Sequence, residues 1–154
     1  MAYVVCMNEE DISDELPHYL KELNPDILVI TGHDAYYKRK GSKEDIANYK
    51  NSREFVKAVI TARNYERSSE KLAIVAGACQ SDYEELIKVG ATFASSPKRV
   101  NIHALDPAIV ASSLALTDRN KVIDLIQIIE KTKYGKEGIG GIMTKGSMYV
   151  GYPR

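Results

Sequence analysis

Two residues of the sequence, Cys79 and His33, have side chains that could together perform nucleophilic catalysis. Each follows a short apolar run that reads as a strand, His33 after residues 26–30 and Cys79 after residues 72–76. A thiol is mostly protonated at neutral pH, and only the thiolate is a strong nucleophile. A neighbouring imidazole can take that proton. The pair therefore has the chemistry of acyl transfer, in which an amide bond is cleaved through a thioester.

The elements that must position these residues alternate along the chain. Strands are predicted at residues 3–7, 26–30, 72–76, 91–94 and 100–104, and helices at 9–23, 52–67, 81–89, from 106 onward, and 121–129. Pro17 is an obstacle inside the first helix. The glycine-rich stretch 135–151 predicts a hairpin or an ordered loop. Strands that alternate with helices indicate an α/β fold, a three-layer sandwich with a mainly parallel sheet in one domain, 1–154.

A parallel sheet would bring the thiol and the imidazole together. Catalytic groups collect at the carboxyl ends of parallel strands, and neighbouring strands lie about 5 Å apart. Cys79 immediately precedes a predicted helix, whose dipole favours the thiolate. The small residue Ala78 lets a substrate approach, and the backbone amides of Gly32, Ala78 and Cys79 are candidates to stabilise an oxyanion.

Less specific interpretations stay open for these residues. A cysteine at a strand end is more often a small buried hydrophobe, which would suit a non-catalytic binding or assembly module. A second alternative is an amidotransferase-like hydrolase, whose nucleophile elbow would have glycine where Ser81 stands. Cys6 is expected to be buried inside the first strand. His103 is favoured as a structural histidine over a second base.

Composition excludes several classes of protein. Lys plus Arg and Asp plus Glu both total 21, so the balanced charge argues against binding to nucleic acid by bulk charge. No apolar run reaches the roughly 20 residues that cross a bilayer, and the chain does not start like a signal peptide, which favours the cytoplasm. A zinc site lacks paired-ligand spacing. A nucleotide loop near the C-terminus fails because Lys145 precedes Gly146. No cofactor is implied.

Four stretches of the sequence resemble a known family. Residues 24–36 (NPDILVITGHDAY) and 75–81 (VAGACQS) resemble the core motifs of the YabG family of sporulation-specific cysteine peptidases, and residues 90–107 and 138–146 resemble two further blocks. By this resemblance Cys79 matches the catalytic cysteine and His33 the catalytic histidine. A wider likeness to the caspase, clostripain and gingipain clan implies a caspase-like sheet. Members of that clan usually have glycine directly after the histidine, whereas here Gly32 precedes it.

The resemblance also implies a substrate class. The family is similar to arginine-directed peptidases, which cleave spore-coat and cortex-associated proteins and also process themselves. The implied location is the cytoplasm of the sporulating cell or the spore coat. A buried guanidinium must be paired with a carboxylate. Asp34, Asp82 and Asp106 lie closest to predicted strand ends. Asp34 could instead orient the base, Asp82 reads as first-turn helix charge, and Asp106 is favoured as a helix cap.

Two further expectations concern the cleft and the edge of the sheet. Ser95 and Ser96 either line the cleft or simply end a strand. Family members are longer at the N-terminus, and a missing strand would leave a sheet edge exposed, which invites a homodimer through that edge.

Overall fold

A computed structural model describes residues 1–149 of the chain. It contains strands β1 (Ile27–Ile30), β2 (Ala73–Ala76), β3 (Phe93–Ser95) and β4 (Ile139–Gly141), and helices α1 (Ile12–Leu23), α2 (Ser52–Tyr65), α3 (Tyr83–Lys88), α4 (Asp106–Ala115) and α5 (Leu125–Glu130). The strands form one sheet in the order β1-β2-β3-β4. β1, β2 and β3 are parallel, and β4 is antiparallel to β3. The prediction of an α/β fold with a mostly parallel sheet is confirmed.

The two faces of the sheet are covered by different helices, because successive side chains of a strand point in opposite directions. Ile74 and Ala76 of β2 pack in a core cluster with α1, α2 and α3. Ala73 and Val75 of the same strand pack in a second cluster with α4 and α5. All four residues of β2 are buried, which explains why the sequence of this strand is apolar without alternation.

Pro17 does not break α1. A proline inside a helix removes one backbone hydrogen bond and costs about 3 kcal/mol. Leu16 and Leu20 lie on the buried face of α1, and burying two such side chains offsets that cost at about 1.5–3 kcal/mol each. The helix ends at Asn24, whose backbone is left-handed at φ 41° and whose N–H donates to the Leu20 carbonyl at 3.0 Å.

The strand predicted at residues 3–7 is wrong. These residues have no regular structure, and Val4 is 94% exposed. The expectation that Cys6 is buried is wrong for the same reason, since Cys6 is exposed. β-strand propensity depends on context, and an apolar run becomes a strand only when a neighbouring edge pairs with its backbone. None of the strands in residues 1–149 pairs with this segment.

The strand predicted at residues 100–104 is also wrong. The chain turns at Ser96 and Arg99, which have left-handed backbones (φ 63° and 56°), and continues as a loop. The backbone of this loop binds the turn after β2: the Val100 carbonyl accepts a hydrogen bond from the Gln80 N–H at 3.1 Å. The apolar residues are there because the loop packs inward, with Ile102 buried.

The C-terminal third also differs in detail from the prediction. The helix predicted at residues 121–129 is limited to α5, because the Ile123 N–H donates instead to the Thr144 carbonyl at 3.0 Å. In the stretch 135–151, the short 3-10 helix Gly135–Glu137 leads into β4, which joins the main sheet rather than forming a hairpin of its own. Residues 150 and 151 lie outside the described part of the chain. Among residues 1–149, no helix combines the length and the apolar composition that a membrane crossing requires.

Candidate active site

The carboxyl ends of β1 and β2 lie side by side. The two strands pair in register from Ile27 opposite Ala73 to Ile30 opposite Ala76. The pairing extends one step further, since the Gly77 N–H donates to the Ile30 carbonyl at 2.9 Å. His33 lies three residues beyond the end of β1, and Cys79 lies three residues beyond the end of β2. Both residues therefore leave the sheet at the same edge, on adjacent strands.

Cys79 lies in a tight turn between β2 and α3. Gly77 has φ 103°, a conformation that a side chain would strain, and a Cβ at this position would lie 2.9 Å from Leu86 Cδ1. Gln80, directly after the cysteine, is held in the left-handed region at φ 58° although it is not glycine. Such a conformation costs free energy and persists only where surrounding contacts impose it.

The thiol of Cys79 is half-buried and donates to the Ile102 carbonyl, with a sulfur-to-oxygen distance of 3.6 Å. No hydrogen bond joins this sulfur to the His33 imidazole within the part of the chain that the structure describes. Of the three predicted oxyanion residues, Ala78 uses its amide in a bond to Ser81 Oγ at 2.8 Å. The amides of Cys79 and Gly32 donate to no partner among residues 1–149.

The helix predicted directly after Cys79 begins later than expected. α3 starts at Tyr83, and Asp82 caps it by accepting a hydrogen bond from the Glu85 N–H at 3.4 Å. The prediction that a helix N-terminus adjoins the thiol is therefore wrong. Ser81 and Asp82 are excluded from the helix because their polar groups bind other partners: the Asp82 N–H, for example, donates to Ser52 Oγ at 2.8 Å.

The backbone of His33 is held from two sides. Its N–H donates to Glu9 Oε1 at 2.8 Å, and its carbonyl accepts a hydrogen bond from Asn51 Nδ2 at 2.7 Å. The residue itself is exposed, and its imidazole makes no hydrogen bond within residues 1–149. The side chain is thus free to face a ligand while its attachment point is fixed.

Asp34 ties the two turns of the site together. This carboxylate is only 8% exposed. Its Oδ1 accepts hydrogen bonds from the N–H groups of Ala35 and Asn51, at 2.9 and 2.8 Å. Its Oδ2 accepts from the hydroxyls of Ser52 and Ser81. Because Ser81 also binds the Ala78 amide, one carboxylate connects the loop that carries His33 to the turn that carries Cys79.

Gln80 links the same turn to the loops that follow β1 and β3. Its side-chain oxygen accepts from the Tyr36 N–H at 3.2 Å, and its side-chain amide donates to Asn101 Oδ1 at 2.9 Å. Its backbone N–H also donates to Ser96 Oγ at 3.0 Å. These contacts account for the strained backbone of Gln80, since they hold the residue from three directions.

The remaining predicted residues are buried in the framework of the site. Ser96 is fully buried, and its hydroxyl donates to the Val100 carbonyl at 2.7 Å. Ser95 is also fully buried, and its hydroxyl has no partner among residues 1–149. Asp106 does not cap α4 with its side chain: it accepts instead from the backbone amides of His103 and Lys133, at 2.9 and 3.0 Å.

An arginine with a buried side chain lies beside this edge of the sheet. Arg99 donates from Nε to the Tyr49 hydroxyl at 2.6 Å and from a terminal nitrogen to Glu84 at 2.6 Å and Asp82 at 3.3 Å. Burial raises the pKa of Tyr49 to about 12. Burial also raises the pKa of Asp82, although the Glu85 amide and the charge of Arg99 oppose that shift. The second carboxylate oxygen of Asp82, Oδ2, is buried without a partner in residues 1–149.

A cavity of about 150 Å³ opens next to this arginine. It is lined by four acidic and two basic residues: Glu44, Asp82, Glu84 and Glu85, with Lys43 and Arg99. The lining comes from the loop after β1, from the start of α3 and from the loop after β3. The cavity therefore lies on the side of the sheet where the parallel strands end.

Several of these residues escape sequence reasoning. Glu9, Asn51 and Gln80 act on the site through contacts that join distant parts of the chain, such as Glu9 and His33, which are 24 positions apart. The sequence drew attention to Ser81 alone among the residues that hold the turns, because it occupies the position at which a nucleophile elbow would have glycine. Its hydroxyl, 47 residues from Asp34, is what makes serine useful there.

Comparison with known proteins agrees with the resemblance seen in the motifs. A family model described as YabG peptidase U57 matches residues 1–153. The sporulation-specific protease YabG of Bacillus subtilis (strain 168) is 44% identical over 152 residues, which cover 99% of this chain and 52% of that protein. The chain thus spans about half the length of this relative. No solved structure matches the chain. By the match along almost its whole length, the chain belongs to the YabG peptidase family.

Proposed function

We propose that this chain is the catalytic part of a cysteine peptidase in which Cys79 is the nucleophile and His33 the general base. One observation carries the proposal: β1 and β2 pair in register, so both residues leave the sheet at the same edge. The B. subtilis relative is a protease by name, which supports the reaction class. The tight turn at Cys79, whose amide has no partner among residues 1–149, supports the choice of nucleophile.

The reaction begins with a proton transfer. The Cys79 thiol turns from the Ile102 carbonyl toward His33, and the imidazole takes its proton. The thiolate attacks the scissile carbonyl carbon, and the Cys79 and Gly32 amides hold the resulting oxyanion. His33 then gives the proton to the leaving amine, and a thioester remains. Water, deprotonated by His33, cleaves the thioester and releases the thiol.

We propose protein substrates of the spore coat and cortex, cleaved beside arginine. The sporulation-specific name of the relative supports the setting. Among the candidate carboxylates, Asp34 and Asp106 are already occupied by hydrogen bonds from their own chain. The carboxylates of Asp82 and Glu84 already hold a guanidinium, that of Arg99. The acidic cavity beside them is our candidate for the substrate side chain.

The mechanism is tested by cleavage of an arginine-containing protein with the wild type, Cys79→Ala and His33→Ala. Cleavage should fall by at least about a thousandfold in both variants. Cys6 offers a matched control, since Cys6→Ser removes an exposed thiol away from the sheet edge. Iodoacetamide labelling of Cys79 is compared between two proteins, Cys6→Ser alone and Cys6→Ser combined with His33→Ala. Cys79 should be labelled several times faster in the first protein than in the second. Undiminished cleavage by Cys79→Ala would rule out the mechanism.

Arginine recognition is tested with a pair of peptides that differ only in arginine or citrulline, which has the same shape without the charge. The wild type should prefer arginine at least roughly tenfold in kcat/KM. Glu44→Gln should reduce that preference, because it removes a lining carboxylate that is not paired with Arg99 while keeping the side-chain shape. Glu15→Gln, the same change at an exposed position of α1 outside the lining, is the control. Equal cleavage of both peptides would refute the proposed preference for arginine without contradicting the proposed roles of Cys79 and His33.

A further inference from the structure

We propose that Glu9 is the positioning residue of the site, which sets the location of His33 and supplies a negative charge beside it. The inference rests on the proposed role of His33 as the base. Glu9 begins the 3-10 helix Glu9–Asp11 that leads into α1, so it reaches the site from outside the strand ends. Nothing in its local sequence marks it: it is one of three consecutive acidic residues.

The contact of Glu9 is with the backbone, where it controls the position of the whole residue. Its Oε1 accepts the His33 N–H at 2.8 Å, and Asn51 binds the His33 carbonyl from the opposite side. A hydrogen bond to a carboxylate is stronger than one between neutral groups. Without the carboxylate, the Asn51 hydrogen bond is the one of these two contacts that still holds the His33 backbone. His33 also lies beyond the end of β1, where the backbone hydrogen bonds to β2 no longer support it.

Gly32 makes room for this contact. A Cβ at Gly32 would lie 2.6 Å from Glu9 Oε1, closer than any real contact, and its next nearest neighbours are also atoms of Glu9. The backbone of Gly32 is not left-handed, so an alanine there meets no conformational barrier. The glycine that precedes the histidine in this chain is therefore explained by the carboxylate that packs over it.

The carboxylate is charged under the conditions where the site would work. The hydrogen bond from the His33 amide is the main cause that lowers the pKa of Glu9. Burial opposes this shift, and the charges of His33 and Lys50 add to it. The neighbouring Asp34 carboxylate is engaged with Ser52 and Ser81. Glu9 therefore holds the His33 backbone with a charged acceptor.

The test combines two variants of Glu9 with a neighbouring control. Glu9→Ala should lower kcat roughly 10- to 100-fold with less than about a twofold change in KM, because the base is misplaced while the substrate site is untouched. Glu9→Gln should recover part of that loss, since its amide oxygen can still accept the His33 N–H but carries no charge. Glu10→Gln, an exposed neighbour of the same charge, should behave as the wild type.

A double-mutant cycle separates positioning from a general structural effect. Gly32→Ala should reproduce the loss by displacing the carboxylate, and it should cost little more when added to Glu9→Ala, because the group it displaces is gone. Hydrogen exchange of the His33 amide gives a readout that needs no activity: it should be at least roughly tenfold slower in the wild type than in Glu9→Ala. Equal exchange, or kcat of Glu9→Ala within about twofold of the wild type, would overturn the inference. Slow exchange in a chain with no Cys79-dependent cleavage would support the contact and reject the peptidase.

Discussion

Replacing Asp34 by asparagine should destabilise the fold and loosen the connection between the two turns of the site. The new side chain would keep one oxygen to accept the amides of Ala35 and Asn51. In place of Oδ2 it would present an NH₂ donor to the hydroxyls of Ser52 and Ser81, which now donate to that oxygen. Both hydroxyl oxygens already accept a backbone amide, from Asp82 and Ala78 respectively. The substitution therefore leaves two hydroxyl hydrogens without an acceptor.

The magnitude follows from that count. A hydrogen bond to a charged acceptor contributes about 1.5–3 kcal/mol, so the loss of two should lower the free energy of unfolding by about 3 kcal/mol at the low end. The low end applies because the hydroxyls can still accept from the new NH₂ group. Urea unfolding should show an unchanged slope of about 2 kcal/mol per molar, which puts the midpoint about 1.5 M lower.

An exposed aspartate of α1 provides the control for Asp34→Asn. Asp14→Asn removes the same charge from an exposed position of α1, where a surface substitution should change the free energy of unfolding by less than about 0.5 kcal/mol. If Asp34→Asn is as mild as Asp14→Asn, the hydroxyl contacts do not stabilise the fold, and the account of Asp34 as the link between the turns is wrong.

Two further predictions test the turn after β2 and the arginine cluster. Gly77→Ala should destabilise by about 2 kcal/mol and lower Tm by roughly 4–8 °C, since its φ of 103° is strained for alanine and its Cβ would crowd Leu86. Gly135→Ala, with φ 52° and no atom closer than 4.0 Å, isolates the milder effect of backbone strain alone, and an equal loss from both would contradict the crowding argument. Tyr49 titrates with a pKa of about 12 in the folded chain and near 10 when unfolded, so above pH 10 the unfolded chain loses its proton first and stability falls. Unfolding measured from about pH 9 to 12 should show a loss of about 2–3 kcal/mol that Tyr49→Phe lacks.

The strands that carry the site were predictable because their residues are apolar without interruption. β1 and β2 lie within the predicted runs 26–30 and 72–76. Burial on both faces selects such a sequence for β2, whereas β1 lies at the edge of the sheet formed by residues 1–149 and its Val29 is 39% exposed. The predicted strand at 3–7 is similarly apolar, and the one at 100–104 alternates apolar and polar residues; neither is a strand. The first pairs with none of the strands in residues 1–149, and the second is bent by the left-handed residues Ser96 and Arg99 into a loop that binds the Cys79 turn.

The start of α3 shows why local patterns do not locate a site in detail. The amphipathic stretch after Cys79 favoured a helix from Ser81, yet Ser81 and Asp82 use their polar groups to bind Ala78, Asp34 and Ser52. These partners outcompete the first helical turn. The same contacts that delay the helix build the link between the turns, so the error in the predicted start of the helix coincides with the candidate site.

By itself, the sequence determined the alternation of strands and helices, and with it the edge of the sheet at which Cys79 and His33 emerge. Those features depend on the polarity of residues a few positions apart. Only the tertiary structure decided which groups hold the two residues there, namely Glu9, Asp34 and Ser81. Their contacts join residues 24 and 47 positions apart, and such pairs become neighbours only through the path of the whole chain.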